Sequence, residues 1–508
     1  MMTTGIGGFF RHQEAVLSAD IPELSVTEFR TRVVEACRDG ARLAALFGQP
    51  RGAGAVRLFA VLAFDGPGRL AGWSTAVQDR YPALTPQCPQ AQGFEREIAE
   101  QWGVCPEGHP WLKPLRFHHS YQPGYDAWGR SKDAPLMPGV TDFFTMQGTE
   151  VHEVAVGPVH AGVIEPGHFR FQCHGEQVFH LEIALGYQHR GVERAMWGGP
   201  NRRTIPYAET LAGDTTIGHT LAYCQSIEAL ANCRVPVRAQ AWRAIALELE
   251  RLANHTGDLG ALANDIGFLP TASYCGRIRG DFLNMTALLC GSRFGRGLVR
   301  PGGVAFDLAP AAQAQLQQSL HQARRDVTSA VELLWNESSV LGRFENTGAV
   351  SRPTALELGL VGVAARASAV ERDVRVQFPS GFYRFAQMPL STYHTGTVFA
   401  RAYVRWMEIQ RSLTFILEQL QTLPEGPTRS PLGPLAPGRT VVGLVEGWRG
   451  EICHVASTDA AGHFAHYKVV DPSFHNWMGL AMALRGGPIS DFPLCNKSFN
   501  LSYCGHDL

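Results

Sequence analysis

Residues 209 to 219 read ETLAGDTTIGH, and their spacing is that of a metal-binding turn. With cysteine at 212 and 215, Ala212-Gly213-x-Thr215-x-x-x-His219 would set two soft thiolates beside an imidazole. The chain carries alanine and threonine there, so the turn and His219 remain without a soft donor. Two readings stay open: a metal site that has lost its metal, or a scaffold serving another purpose.

Other chemistry-bearing residues crowd the middle of the chain, among them His152, His160, His168, His174, His180, His189 and His219. A single histidine is more often a satisfied structural residue than a ligand. His160 and His168, however, flank turn-forming glycine and proline in GPVHAGVIEPGHF, and function concentrates on loops that a rigid scaffold positions. Glu165 in the same stretch is a candidate proton carrier if burial raises its affinity for a proton. The stretch GYQHRGVER gathers His189, Arg190, Glu193 and Arg194 around a glycine. Arginine stays protonated throughout and suits a site that must hold negative charge; the competing reading is a salt-bridged helix start.

These residues need a frame. A chain of 508 residues exceeds one core and implies two to four domains. Its formal net charge of −1 offers no electrostatic handle for nucleic acid. No apolar run approaches the roughly 18 to 20 residues of a membrane span, and the first residues lack a secretory layout, so any membrane contact is expected through partners. The 11 cysteines are scattered with no CxxC, which disfavours a cluster or a disulfide framework and suggests reduced thiols. No GxGxxG unit is present, so nicotinamide chemistry is expected on another subunit.

TEFRTRVVEACRDGARLAALF carries apolar residues at helical spacing, and AVRLFAVLAF is a short β-type run. FEREIAEQWGVCPEGHPWL starts helical and ends in Pro/Gly punctuation, followed by a Pro- and Gly-rich connecting segment. From about Val151, short β-type runs alternate with Gly and Pro; then come three long segments with apolar stripes at i, i+3, i+4, i+7, which call for a helical bundle. The five prolines of PEGPTRSPLGPLAPGRT mark a rigid loop, and VVGLVEGWRGEICHVAS with HFAHYKVVD reads as β-hairpin material.

At GPVHAGVIEPGHF, GYQHRGVER, GDTTIGHTLAYCQSIEAL, DPSFHNW and the last twenty residues the chain resembles the large subunit of group 4 nickel-iron hydrogenases and its relative, the D-type subunit of respiratory complex I. FEREIAEQWGVCPEGHP is similar to the signature of the complex I C-type subunit, which some members carry fused in front. The resemblance implies an α+β chain. Residues 1–117 would form an α/β C-type domain and 118–145 a linker. Residues 146–508 would form a mainly α-helical hydrogenase-like domain with a small β-rich lead-in and a β-hairpin insert.

The hydrogenases of that family hold nickel and iron with RxCGxCxxxH and DPCxxCxxH or R. Laid on this chain, the first motif puts Thr210 at the Arg, Ala212 and Thr215 at the cysteines and His219 at the His; the second puts Asn500 at the Asp, Ser502 and Gly505 at the cysteines and Leu508 at the end. All four thiolate ligands are replaced, and Cys504 and Cys495 cannot make up four, so no metal is expected. The complex I relatives use the vacated cavity for a quinone headgroup. His160 matches their first quinone-binding histidine, while Ile164 replaces the second and Gly213 removes their tyrosine.

The resemblance therefore implies Glu165, His160, Asp214 and His219 as catalytic residues and His160, His168, His189, Arg190 and Glu193 around a bound acceptor. It implies no cofactor on this chain alone, a quinone as candidate ligand, and a [4Fe-4S] cluster in a small iron-sulfur (B-type) partner. Further peripheral-arm and membrane subunits would follow, and a place on the cytoplasmic side of the inner membrane. The reading is a redox or coupling subunit of a complex-I-like, proton-translocating oxidoreductase. The alternatives are a non-catalytic coupling subunit and, weakest, an active hydrogenase.

Overall fold

A computed structural model describes residues 8–52, 54–160 and 164–508. Ala161 to Val163 of the GPVHAGVIEPGHF stretch lie outside the described residues.

The AVRLFAVLAF run is the strand Ala55–Phe64, between the antiparallel strands Arg42–Gly52 and Arg69–Val77. The apolar run before it divides where helical spacing alone would continue: Val26–Arg38 is a helix, Gly40 takes a left-handed φ of +96°, and Arg42–Gly52 is a strand. Glycine ends the helix because it adopts that conformation without a Cβ clash. The signature segment forms the helix Gln92–Trp102, closed by Gly103 at φ +70°.

The C-terminal β material is larger than a hairpin insert. Arg439–Glu446, Glu451–Thr458 and Phe464–Val470 form an antiparallel meander, which Val16–Leu17 extends. Successive side chains point to opposite faces. Val442, Leu444, Cys453 and Val455 join the core of the N-terminal sheet, whereas Val441, Val445, Ile452 and Ala456 join the helical core. This sheet is thus the shared wall of two cores, which is why Glu451–Thr458 is buried along its whole length.

Val151–Val156, His168–His174 and Gln177–Ala184 form a separate three-stranded antiparallel sheet. The three apolar stripes become the helices Val237–Asp265, Pro310–Trp335 and Val398–Gln421, and a further helix, Leu269–Cys290, packs between the first two. The helix Thr216–Leu230 is buried on nearly every side and packs on the central sheet. No described helix is long and apolar enough to cross a membrane. Residues 118–145 hold no helix or strand but are fastened: the N–H of Tyr121 donates to the Gln101 carbonyl and that of Phe144 to Glu182.

Charged groups stitch these layers. Lys468 donates to both Glu97 oxygens at 2.7 and 2.6 Å, Arg116 pairs with the same carboxylate, and Glu193 lies 2.9 Å from Lys468. Glu97, Lys468 and Arg116 are all at most 2% exposed. The pairs tie the signature helix to the central sheet. Breaking a buried pair strands its partners. Glu97→Ala is expected to cost about 3–5 kcal/mol in denaturant unfolding. Glu28→Ala, in an exposed pair with Arg32, is expected to cost less than about 1 kcal/mol.

Thr216–Leu230 has no side-chain N-cap of its own. Glu250 of the long helix supplies one, accepting from the N–H groups of Ile217 at 2.7 Å and Gly218 at 3.1 Å. Burial pushes the Glu250 carboxyl up to about 8, against the pull of those two N–H groups. A folded-state value raised above the unfolded one gives stability that is complete below the ordinary glutamate range and is lost as pH rises toward 8. The stability difference between wild type and Glu250→Gln, measured by denaturant unfolding, should therefore move against the wild type from pH 5 to 8. A pH-independent difference would contradict this.

Candidate functional site

Two segments remote in sequence meet where the nickel-ligand positions fall: the turn 210–215 ahead of Thr216–Leu230, and the C-terminal run 500–505. Arg449 joins them. It sits in the tight turn Gly447–Gly450 between two strands of the central sheet, and its guanidinium holds Asp214 bidentately at 2.6 and 2.8 Å. Its Nη1 also reaches Thr215 Oγ1 at 3.3 Å, and its Nε donates to the Asn500 carbonyl at 2.5 Å. Trp448, whose ring lies 3.9 Å under the guanidinium, donates from Nε1 to Thr215 Oγ1 and to the Asp214 carbonyl, each at 3.1 Å.

This turn packs against Val361 and Gly362 only because glycine stands at 362. A Cβ there would lie 2.0 Å from the Arg449 carbonyl oxygen. Desolvation alone would raise the Asp214 carboxyl, but the Arg449 charge outweighs it and holds the group below the usual aspartate value.

His219 opens a second, buried system. Its Nε2 lies 2.9 Å from Asp471 Oδ2, its Nδ1 3.1 Å from His454 Nε2, and His454 Nδ1 2.9 Å from the Tyr467 hydroxyl. Strand alternation aims His454 at the helical core while Cys453 and Val455 face the other way. With His219 neutral, the chain runs one way: Tyr467 donates to His454, His454 to His219, and His219 to Asp471. Burial, and then the neighbouring His219, keeps His454 well below its ordinary value and so uncharged. Burial would raise Asp471, but the His219 hydrogen bond and the Arg449 charge hold it down and ionised. The other Asp471 oxygen accepts from the Ser473 N–H and caps the helix Pro472–Leu484.

The third group surrounds the C-terminal turn. Glu165 accepts from the N–H groups of Tyr503 at 3.2 Å and Cys504 at 3.3 Å. The Tyr503 hydroxyl lies 3.2 Å from His160 Nε2. The Cys504 thiol is pushed up to about 11 by burial and by Glu165, so it is a thiol and not a thiolate near neutrality. Arg190 donates to the carbonyls of Thr210, Leu211 and Cys504, closing the same corner. Beside it a cavity of about 490 Å³ is lined by His160, Ile164, Asp265, Asn496, Asn500 and Tyr503.

The expected residues therefore divide. Asp214, His219, Glu165, His160 and Arg190 converge on the two segments. His189 holds the Asp507 carbonyl at 2.7 Å and stacks on His118. His168 lies at the start of its strand, against the Gly157 carbonyl and Arg170. Glu193 accepts from the Val469 N–H at 2.9 Å beside Lys468, within the buried stitching between layers. Arg449, Asp471, His454 and Tyr503 take part without having been singled out. Arg449 reads as part of a turn, and Asp471, in DPSFHNW, becomes informative only once His219 is seen beside it.

The four ligand positions do not fit a nickel-iron centre. Ala212 and Gly505 have no donor, Thr215 is bonded to Trp448 and Arg449, and Ser502 caps the final helix through the Gly505 N–H. A Cβ on Gly505 would lie 2.7 to 2.9 Å from the Asp471 carboxyl atoms, so the space for a side chain there is taken. Among the described residues no group of three or more His, Cys, Asp or Glu could hold a metal ion.

The family model of the 49 kDa subunit of respiratory-chain NADH dehydrogenase matches residues 265–434. The chain is 30% identical over 444 residues to formate hydrogenlyase subunit 5 of Escherichia coli, an alignment covering 84% of this chain and 77% of the relative. It is 29% identical to a D-type NADH-quinone oxidoreductase subunit of Solibacter usitatus, over 66% of this chain and 91% of the relative. It is 28% identical to a C/D-type NADH-quinone oxidoreductase subunit of Bacteroides thetaiotaomicron, over 74% and 76%. The chain belongs to the family that unites the complex I 49 kDa (D-type) subunits with the large subunits of group 4 hydrogenases.

Proposed function

We propose that the chain is the acceptor-side redox or coupling subunit of a membrane-attached, complex-I-like oxidoreductase. Residues 1–117 serve as the C-type domain, 118–145 as the connection and 146–508 as the D-type, hydrogenase-like domain. Electrons come from a [4Fe-4S] cluster in a small iron-sulfur partner and pass to a quinone or another small acceptor, with no nickel-iron chemistry. Further peripheral and membrane subunits hold the assembly on the cytoplasmic face of the inner membrane.

One observation carries the acceptor reading: the cavity beside His160. Its volume of about 490 Å³ suits a small ligand, and its lining sets Ile164, Phe171, Phe492 and Leu501 against a few convergent polar groups, His160 and Tyr503 among them. That is the chemistry of a headgroup with carbonyl oxygens on a flat apolar ring. In this reading the Tyr503 hydroxyl and His160, 3.2 Å apart, donate to a carbonyl, and Glu165, beside the Tyr503 and Cys504 N–H groups, takes part in resupplying a proton.

A second reading, a silent pocket in a subunit that couples conformational change, has one observation in its favour. The former ligand positions are closed by internal ion pairs instead of opening on a ligand.

In the purified complex, His160→Ala is expected to lower reduction of a short-chain quinone by about 10²-fold or more while the partner's cluster is still reduced by its donor. Unchanged quinone reduction would overturn the assignment. Failure of every quinone and small acceptor to bind near His160 would favour the silent pocket.

A further inference from the structure

The disagreement between the residues present and a metal centre has a positive side. The pocket is not left empty of charge, since two carboxylates and one guanidinium fill it. We propose that the guanidinium of Arg449 is the resident cation of this pocket, paired with Asp214 and facing Asp471, and that it completes the site in place of a metal.

The ligand positions themselves are engaged by this set. Thr215 is bonded to Arg449 Nη1 and Trp448 Nε1, and the Asp471 carboxylate stands where a side chain on residue 505 would have to go. The cation is held as a built component: Arg449 is 4% exposed, and its Nε, Nη1 and Nη2 each have an acceptor. A planar fork on a bidentate carboxylate, with a ring beneath it, is a role that lysine does not reproduce.

Behind it lies a second layer of the same kind. Asn500, whose main-chain carbonyl accepts from Arg449, donates from its side-chain Nδ2 to Asp258 Oδ1 at 2.6 Å, and Asp258 pairs with Arg405 at 2.7 Å. Asp471 in turn is fixed by His219 and Ser473. The anions of the pocket are therefore arranged around a cation that the chain itself supplies. Asp214, about a third exposed, and the exposed Gly213 lie at the pocket's outer edge. The inference concerns the pocket alone and does not depend on which acceptor binds beside His160.

The test is chemical replacement in the full chain. Arg449→Ala should lower Tm. Millimolar methylguanidinium should restore part of that loss in the variant while leaving the wild type unmoved, and sodium chloride at the same ionic strength should not. Asp214→Asn combined with Arg449→Met removes cation and partner together and should be more stable than Arg449→Ala, because no carboxylate is stranded. Should Arg449→Ala give no folded protein, a folded double variant supports the proposal. A wild-type Tm in Arg449→Ala, equal rescue by salt, or a double variant no more stable than the single would each overturn it.

Discussion

The bidentate pair between Arg449 and Asp214 is the contact on which the site depends. It joins a β-turn, the start of a buried helix and the C-terminal run through one planar group, since the same guanidinium also bonds Thr215 and the Asn500 carbonyl. Three chain segments more than two hundred residues apart at their extremes thus share one charge. Removing it would strand Asp214 and loosen the frame around His219 and Asp471, because a buried or half-buried carboxylate without its partner is costly. The pocket's shape and its electrostatics are therefore one property.

The same economy governs the surrounding bundle. Glu248, Arg251 and His255 lie on one face of the long helix at i, i+3 and i+7, all inside the protein. They meet Arg375, Glu408 and Tyr383 there, with Arg366 pairing to Glu408 and Glu446. Each ionised group has an opposite charge in reach, which is the condition under which such burial is tolerated. Arg251 also donates to the carbonyls of Glu446 and Gly447, so this network and the Arg449 turn brace one another.

Local pattern made much of the fold legible. The β-type run at 55–64 follows from its short, near-continuous apolar stretch, and the apolar stripes of the bundle follow from a period of about 3.6. The reading failed where one residue overrides periodicity, as when Gly40 turns ARLAALF from helix to strand, and where a pattern has two meanings. The C-terminal runs are apolar on both faces because they separate two cores, which a hairpin reading cannot anticipate. At the site, His219 was visible from the spacing of one motif, His160 and Glu165 from Gly/Pro punctuation, and Asp214 only through the family resemblance. Arg449 and Asp471 were not, since an arginine in a turn and an aspartate before a proline look like surface residues and a helix cap. Their partners lie about 230 to 250 residues away, a distance that sequence spacing does not encode. Glu193 shows the converse: an acid in a rich motif whose partners, Lys468 and the Val469 N–H, make it part of the stitching between layers.

The central claim, that an internal guanidinium and two carboxylates occupy the pocket between the turn 210–215 and the C-terminal run and leave no place for a metal, is tested most directly by elemental analysis of the purified complex. The account predicts no stoichiometric nickel, with or without nickel in the growth medium. Nickel at one equivalent per chain, retained through gel filtration, would contradict it.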